Sequence, residues 1–369
     1  MSAELQFLFS ALTAWTNINM LEYIYEETVW QKLKSESRPI LLYGMGNGAD
    51  MIIERLNSFG IEYKDVYASD EFVRGHYFHG KKVLKYSEAE EKYGNFVSLM
   101  TFAVKDDKTI NRVYEMSKKQ PLYSLTVPVA GDGLFTKEFV KDNEEKFDKA
   151  FSMLADDKSR ETYINLLNFK ISGKLEYLIP SFSEKHEVYE NILKPDKDEI
   201  IADLGAYNGD TVEEFLNATH GKTQKIYALE PDKKNFLKLQ RNTEKYDFVK
   251  AYNVAAYRED TVLKFRKSAG RQSKLSDDGE EIQALKIDSL IKEKISLLKM
   301  DIEGSELDAI KGAENTIRTY KPKLYICAYH RNDDMFSIPL AINEIRNDYK
   351  FYFRQHKYIP AWESNFYAI

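Results

Sequence analysis

Short apolar runs that end at a polar residue or a glycine recur along this chain, and helical periodicity follows several of them. In residues 200–210 the run I-I-A-D-L leads into a turn that contains Gly205 and Gly209. Residues 211–216 then place apolar side chains at helical spacing. This pattern predicts a buried strand, a glycine turn and a helix N-terminus, in that order.

The same alternation continues towards the C-terminus. Strands are predicted at residues 225–230, 248–254, 297–303 and 324–329, with a helix at residues 235–242. Two extended pieces within residues 258–289 flank a polar loop that contains Gly270, Arg271, Gln272 and Ser273. Residues 351–354 and 365–368 are predicted to form an antiparallel hairpin at the sheet edge. We therefore expect an α/β domain built around one sheet.

A second strand–turn–helix unit lies nearer the N-terminus. Residues 39–49 give a buried strand that runs into G-x-G-x-x-A, with Gly44, Gly46 and Ala49 at the small-residue positions. A helix at 51–59, strands at 65–69, 96–103 and 123–127, and the acid Asp70 complete a Rossmann-like pattern. An NAD-dependent oxidoreductase is one hypothesis for this unit, although no acid or base for hydride transfer is evident. The alternative is that the glycines only permit a tight turn.

Four segments follow from these patterns. Residues 1–35 are predicted to be helical, with a break near Asn17 and Asn19, and to pack on the next domain or on another subunit as a homo-oligomer contact. Residues 36–130 form the first Rossmann-like domain, and residues 131–185 a highly charged helical connector with solvated faces. Residues 186–369 form the second Rossmann-like domain.

Composition limits the choice of partners. The 369 residues carry a formal net charge of -6, which gives no electrostatic reason to bind nucleic acid or an anionic membrane. No apolar run is long enough to span a bilayer, and the charge order at the N-terminus is unlike a signal peptide. The single cysteine, Cys327, indicates a reduced, cytoplasmic protein. His76 and His79 lie in a loop without further ligands nearby in sequence, so we expect no metal site there.

Acidic residues at the strand ends indicate the ligand of the C-terminal sheet. A carboxylate at Asp203 would repel a pyrophosphate, whereas it would attract the ammonium and sulfonium groups of S-adenosylmethionine. Glu230 follows about 20 residues after the glycine turn, a position suited to binding ribose hydroxyls. Asn253 and Ala255, at the end of the next strand, are candidates for an adenine pocket by position alone.

The next two strand ends carry candidate catalytic groups. Asp301 and Glu303 are two residues apart and are expected to share one side of the strand end, where they could bind a cation, act as a base or satisfy helix amides. Ser305 and Asp308 resemble a capping box. His330 ends the following strand, and we expect it to act as the general base, since histidine titrates near neutral pH. The alternative is that His330 only bonds a backbone carbonyl.

Several ordered motifs occur together in the C-terminal half. They are D-L-G-A-Y-N-G-D-T, Y-A-L-E-P-D, N-V-A-A, L-K-M-D-I-E-G-S-E, K-G-A, K-P-K-L-Y-I-C-A-Y-H and a terminal E-S-N-F-Y-A. This combination resembles the FkbM-type methyltransferases over roughly residues 150–369. The resemblance implies a class I fold and S-adenosylmethionine-dependent O-methylation of a hydroxyl on a sugar, glycan or natural product. A non-catalytic nucleotide-binding or scaffold protein that retains the fold is the alternative.

The resemblance also implies roles for individual residues. Asp203, Gly205, Ala206 and Gly209 would cradle the cofactor, together with Tyr207, where the family often has a polar residue. Glu230 would hold the ribose, and Asp301 and Glu303 would face the active centre.

Overall fold

The computed structural model describes residues 19–131, 133–267, 273–275 and 279–369. Two parallel sheets, one in each half of the chain, organise the molecule. The part of the predicted N-terminal helix before Asn19 and the loop residues Gly270, Arg271 and Gln272 lie outside the described residues. Within the described ranges, no helix is both long and apolar enough to cross a bilayer.

The N-terminal sheet has five strands in the order β5-β2-β1-β6-β7, and each neighbouring pair is parallel. They are β1 (Ile40–Tyr43), β2 (Asp65–Ala68), β5 (Leu84–Lys85), β6 (Val97–Met100) and β7 (Leu122–Ser124), while β3 (Tyr77–Phe78) and β4 (Lys81–Lys82) form a separate hairpin. All residues of β1 and β6 are buried, as their continuous apolar runs require. The predicted parallel Rossmann-like sheet is confirmed.

The glycine turn after β1 has a packing function. A Cβ atom on Gly48 would lie 2.2 Å from the backbone oxygen of Thr101. Only glycine therefore allows the following helix to approach the end of β6. This close approach accounts for Gly48, in the first turn of the helix Asn47–Ser58, without any ligand.

The C-terminal sheet has seven strands in the order β10-β9-β8-β15-β16-β18-β17. They are β8 (Ile200–Leu204), β9 (Lys225–Leu229), β10 (Val249–Tyr252), β15 (Leu297–Met300), β16 (Lys323–Cys327), β17 (Phe351–Gln355) and β18 (Ser364–Ala368). The first five strands of that order are parallel, and β18 pairs antiparallel with both β16 and β17. The chain order reverses between β8 and β15, which is where ligands bind in open α/β sheets.

A small four-stranded sheet lies beside this switch point. It comprises β11 (Ala255–Ala256), β12 (Thr261–Lys267), β13 (Ser273–Leu275) and β14 (Glu280–Leu285), in the order β11-β14-β12-β13. It carries the chain that follows β10 towards the C-terminal edge of the parallel strands.

Helices cover both sheets and fill the space between them. They are α1 (Val29–Lys34), α2 (Asn47–Ser58), α3 (Tyr86–Tyr93), α4 (Asp107–Lys119), α5 (Lys137–Asp142), α6 (Glu144–Ser152), α7 (Asp157–Ser172), α8 (Leu175–Leu178), α9 (Lys185–Val188), α10 (Asp210–Ala218), α11 (Lys233–Thr243), α12 (Ile287–Leu290), α13 (Glu306–Gly312), α14 (Glu314–Tyr320) and α15 (Asp334–Ile345). Short 3₁₀ segments lie at Met20–Tyr23, Asp70–Phe72 and Ile179–Ser181, and a π-helical turn at Tyr189–Leu193.

Helix α7 differs from the solvated connector that its charge pattern predicts. Every residue from Thr162 to Ser172 is buried, because the helix packs against β17 and is hydrogen-bonded to the N-terminal segment. The Asn168 side chain bonds the backbone of Tyr23 and of Tyr25, which compensates for burying its amide. The prediction of exposed faces is wrong for this helix, since hydrophobic contacts on several sides outweigh a few charged positions.

Candidate functional site

A cavity of about 490 Å³ opens at the carboxyl ends of the parallel strands in the C-terminal sheet. This volume lies within the range of small-molecule sites in proteins. Backbone turns, carboxylates and aromatic side chains line it, among them Gly205, Tyr207, Glu230, Val254, Ala255, Ala256, Tyr257, Lys299, Asp301, Ile302, Glu303, Tyr325 and Tyr329. The cavity therefore occupies the position that the strand order predicts.

The turn after β8 forms the floor of the cavity. Gly205 has a φ of +79°, and a Cβ atom there would lie 1.8 Å from the backbone oxygen of Asp301. Glycine thus lets the ends of β8 and β15 meet. Tyr207 has a φ of +46°, and its N–H donates to Glu230 Oε2 at 2.8 Å. The turn and the end of β9 are consequently held together by the Glu230 carboxylate.

Glu230 is the most firmly oriented carboxylate on the wall of the cavity. Its Oε1 accepts a second backbone hydrogen bond, from Asp232 N–H at 2.8 Å. Burial raises the pKa of Glu230 to about 7, although both backbone donors favour the ionised form and lower it. Glu230 lines the cavity and each of its oxygens has a further lone pair, so the group can accept hydrogen bonds from a ligand.

Asp203 is placed differently from the free, charged strand end that the sequence predicts. It is 0% exposed and pairs with Lys299, whose Nζ lies 3.0 Å from Oδ1. Burial raises the pKa of Asp203, and Lys299 partly offsets this. Lys299 also donates to the Gly205 carbonyl at 3.0 Å. The Asp203 carboxylate therefore pairs with Lys299 and stabilises the turn, and it does not contact a ligand directly.

Of the other residues predicted to bind the cofactor, one lines the cavity and the rest hold the surrounding turns in place. Ala255 lines the cavity. Ala206 is fully buried, and Gly209 caps α10 with a φ of +91°, so both act through the shape of the turn. Asn253 donates to two backbone carbonyls, including that of Glu230 at 2.9 Å, and thereby braces the loop after β9.

His330 lies behind the cavity wall, where three carboxylates surround it. Its Nε2 is 3.3 Å from Asp301 Oδ1 and 3.8 Å from Glu303 Oε2, and its Nδ1 is 2.9 Å from Glu306 Oε1. Burial alone would lower the pKa of His330, but Glu306 and Asp301 outweigh it and hold the pKa well above the ordinary value. The alternative prediction, that His330 bonds a backbone carbonyl, is also wrong, because the ring nitrogens contact carboxylates.

This environment contradicts the prediction that His330 is the general base. A base must be unprotonated at the working pH and must reach the acceptor. His330 is 0% exposed and, with its raised pKa, carries a proton near neutral pH. The carboxylates that orient His330 also stabilise its protonated form. Their effect is strong because burial removes the water that would otherwise screen these charges.

Asp301 and Glu303 line the cavity, and they lie on a turn instead of the predicted strand. Strand β15 ends at Met300, and Glu303 has a φ of +56°. Burial favours the protonated form of Asp301, yet hydrogen bonding from His330 and the charge of Lys299 hold its pKa below the usual range. Tyr329 also donates to Asp301 Oδ1, at 3.1 Å. Asp301 is therefore an ionised acceptor facing the cavity.

The predicted capping box at the start of α13 does not form. Ser305 is the N-cap residue, but its side chain makes no capping hydrogen bond. Glu306 instead accepts from the Ile302 N–H at 2.9 Å. The carboxylate at the first helical position replaces the serine hydroxyl in satisfying a backbone donor.

Part of the cavity comes from residues that sequence reasoning missed. Tyr358, Trp362 and Glu363, between β17 and β18, line it, and so do Lys105 and Val129 of the N-terminal half. The rings of Tyr358 and Trp362 lie 5.9 Å apart at an interplanar angle of 35°. Glu363 begins the terminal E-S-N-F-Y-A motif, and this motif was the one sequence feature that could have indicated a residue of the cavity in this region.

Comparisons with known proteins match part of the C-terminal half to a family and nearly the whole chain to a solved structure. Residues 203–359 match the methyltransferase FkbM domain. The crystal structure of methyltransferase FkbM from Methylobacillus flagellatus KT has a TM-score of 0.72 and 22% identity, covering 95% of this chain and 93% of that chain. This likeness covers both sheets, so the α/β fold with two parallel sheets is shared.

Other solved structures are similar over about half of the chain. An rRNA methylase from Streptococcus thermophilus has a TM-score of 0.33 and 14% identity, with 50% of this chain and 92% of that chain covered. Precorrin-6y C5,15-methyltransferase from Geobacter metallireducens GS-15 has a TM-score of 0.32 and 12% identity, with 51% and 90% covered. Among curated proteins, no sequence matches this chain.

Proposed function

We propose that the protein methylates a hydroxyl group with S-adenosylmethionine as the donor, on the premise that residues 203–359, which match the methyltransferase FkbM domain, act as such a domain. The acceptor class that the family resemblance implies is a sugar, glycan or natural product. Glu230 is the single observation that carries the choice of donor, because two backbone N–H groups orient its carboxylate on the wall of a cavity large enough for a nucleoside.

The residues around Glu230 fit a nucleoside. Val254, Ala255 and Ala256 also line the cavity and supply apolar surface suited to a purine ring. The Glu230 oxygens would accept hydrogen bonds from the two ribose hydroxyls. Bound there, S-adenosylmethionine would supply an electrophilic methyl group on a sulfonium.

Asp301 is the group best placed to receive the acceptor. It is ionised, lines the cavity and is held by Tyr329 and His330. We infer that Asp301 accepts a hydrogen bond from the acceptor hydroxyl and orients it, and that the proton released there passes on to solvent, while His330 positions Asp301 from behind. Positioning supplies most of the rate enhancement in this account, so a weak base is sufficient.

Lys299 has a supporting role in the same proposal. Its ammonium joins the buried Asp203 to the Gly205 carbonyl, which keeps the turn after β8 in place. Aromatic rings of Tyr358 and Trp362 lie at another part of the cavity wall, where they provide a surface on which a sugar or ring could stack.

Titration of the full-length chain with S-adenosylhomocysteine tests the proposal directly. Glu230→Ala removes charge-assisted hydrogen bonds, and we expect it to weaken binding by about 1.5–3 kcal/mol, or roughly tenfold to 150-fold. Glu244→Ala, an exposed carboxylate at the end of α11, is the matched control and should bind like the wild type. NAD, titrated separately, should not bind at this site. An unchanged dissociation constant in a folded Glu230→Ala protein would refute the assignment.

A further inference from the structure

Three ionisable side chains meet behind the cavity wall, away from the proposed donor site. Glu306, His330 and Asp334 offer one ligand atom each, and these atoms all lie within 4.8 Å of one another. The three residues are 1%, 0% and 1% exposed. Glu306 begins α13, Asp334 begins α15, and His330 lies in the loop after β16, so three separate elements converge on one point.

A backbone N–H orients each of the two carboxylates, and Glu306 Oε2 is buried without a hydrogen-bond partner. Ile302 N–H donates to Glu306 Oε1 at 2.9 Å, and Arg331 N–H donates to Asp334 Oδ2 at 2.7 Å. Glu306 Oε2 and His330 Nδ1 are buried without a hydrogen bond of normal geometry, although Nδ1 approaches Glu306 Oε1 at 2.9 Å. Buried polar atoms of this kind need a partner, such as an ion.

Charge gives an independent reason to expect a cation. Two ionised carboxylates and a neutral imidazole give the three ligands a charge of -2, which a divalent cation would neutralise.

We propose that Glu306, His330 and Asp334 bind one divalent transition-metal ion. One imidazole nitrogen and two carboxylate oxygens favour Mn²⁺, Fe²⁺ or Zn²⁺ over Mg²⁺ and Ca²⁺, which prefer oxygen ligands alone. The ion replaces the proton on His330 Nδ1. The opposite nitrogen, Nε2, then still faces Asp301 at 3.3 Å, so the ion would fix the ring that positions the cavity wall.

Metal binding to the full-length protein tests this proposal without any methyl donor. Chelator-treated protein is dialysed against MnCl₂, ZnCl₂ or MgCl₂, and bound metal is measured per chain. We expect one Mn²⁺ or Zn²⁺ per chain and far weaker Mg²⁺ binding. Glu306→Gln and Asp334→Asn should each weaken Mn²⁺ binding by about 100-fold or more, since each removes one of three charged or basic ligands.

Asp308→Asn provides the matched control, because this carboxylate lies on the same helix but pairs with Arg258 at 3.6 Å. It should bind metal like the wild type. Anomalous scattering from Mn²⁺-soaked wild-type crystals locates the ion even if the ligand variants do not fold. An ion at another position, a stoichiometry well below one, or unchanged affinity in a folded Asp334→Asn protein would overturn the proposal. Binding of S-adenosylhomocysteine is measured separately, so failure of either proposal leaves the other intact.

Discussion

At the scale of single residues, burial and partners give four acidic groups near the cavity different properties. Asp203 is enclosed with Lys299, and Asp301 stays ionised beside a charged histidine. Glu230 has backbone donors but no cationic partner within ion-pair distance among the described residues, so burial raises its pKa to about 7. Glu363 pairs with Lys185 at 3.4 Å, yet burial still raises its pKa.

The raised pKa of Glu230 predicts pH-dependent donor binding. A ribose needs the ionised carboxylate as an acceptor, and the free protein gains a proton on this group as pH falls through about 7. Affinity for S-adenosylhomocysteine should therefore be constant above about pH 8 and fall by up to about tenfold per pH unit below pH 7. Calorimetry from pH 5.5 to 8.5 measures this. Glu230→Gln should bind more weakly with little pH dependence, and equal pH profiles for both proteins would contradict the assignment.

At the scale of elements, the antiparallel pair β17 and β18 is tied to the rest of the domain by a buried histidine. His356 Nδ1–H donates to the Ser183 carbonyl at 2.8 Å, and Nε2 accepts from the Tyr367 hydroxyl at 2.7 Å. Only the bond that Nε2 accepts requires the neutral ring, because Nδ1–H can donate in either protonation state. Burial lowers the pKa of His356 to about 4, against a partial opposing effect of the Ser183 carbonyl.

This lowered pKa predicts a loss of stability in mild acid. The folded pKa is below the unfolded value, so the stabilisation is complete above about pH 6.5 and is lost as pH falls from there to about 4. The shift corresponds to about 3 kcal/mol. Urea unfolding at pH 7.5 and pH 4.5 measures the change. His356→Gln should show a smaller decrease between these pH values than the wild type does, and parallel profiles would show that His356 does not titrate in this way.

At the scale of the whole molecule, the two sheets share a core. One cluster of buried apolar residues includes Tyr43 and Met100 of the N-terminal sheet and Leu204 and Leu298 of the C-terminal sheet. Val104 and Ile359 form an antiparallel bridge between the halves, with both hydrogen bonds at 2.8 Å. A shared core couples the folding of both sheets.

We therefore predict a single cooperative unfolding transition. Trp30 reports on the N-terminal half and Trp362 on the cavity, so each can be observed alone in a Trp15→Phe background with the other tryptophan replaced by phenylalanine. For each of these two single-tryptophan proteins, the unfolding midpoint from fluorescence is compared with the midpoint from circular dichroism, which reports on the whole chain. Fluorescence and circular dichroism midpoints in urea should coincide for both reporters. Separate midpoints within one protein would mean that the two halves unfold independently.

The sequence by itself determined the strands, their glycine turns and the identity of the fold. Residues 225–230 were predicted as a strand and form β9 over Lys225–Leu229; residues 324–329 form β16 over Lys323–Cys327. Such runs can be predicted because burial on both faces of a parallel strand needs about five consecutive apolar residues, a property of the local chain alone.

Only the tertiary structure decided what the charged residues do. The pairing of Lys299 with Asp203, the enclosure of His330 and the burial of α7 all depend on contacts between distant parts of the chain; the bond from Lys299 to Gly205 spans 94 residues. Lys105 and Trp362 reach one cavity for the same reason. A charged residue looks the same in the sequence whether its side chain lies in water or beside a buried partner. Its pKa and its role depend on that environment, and the environment is set by the packing of the whole chain.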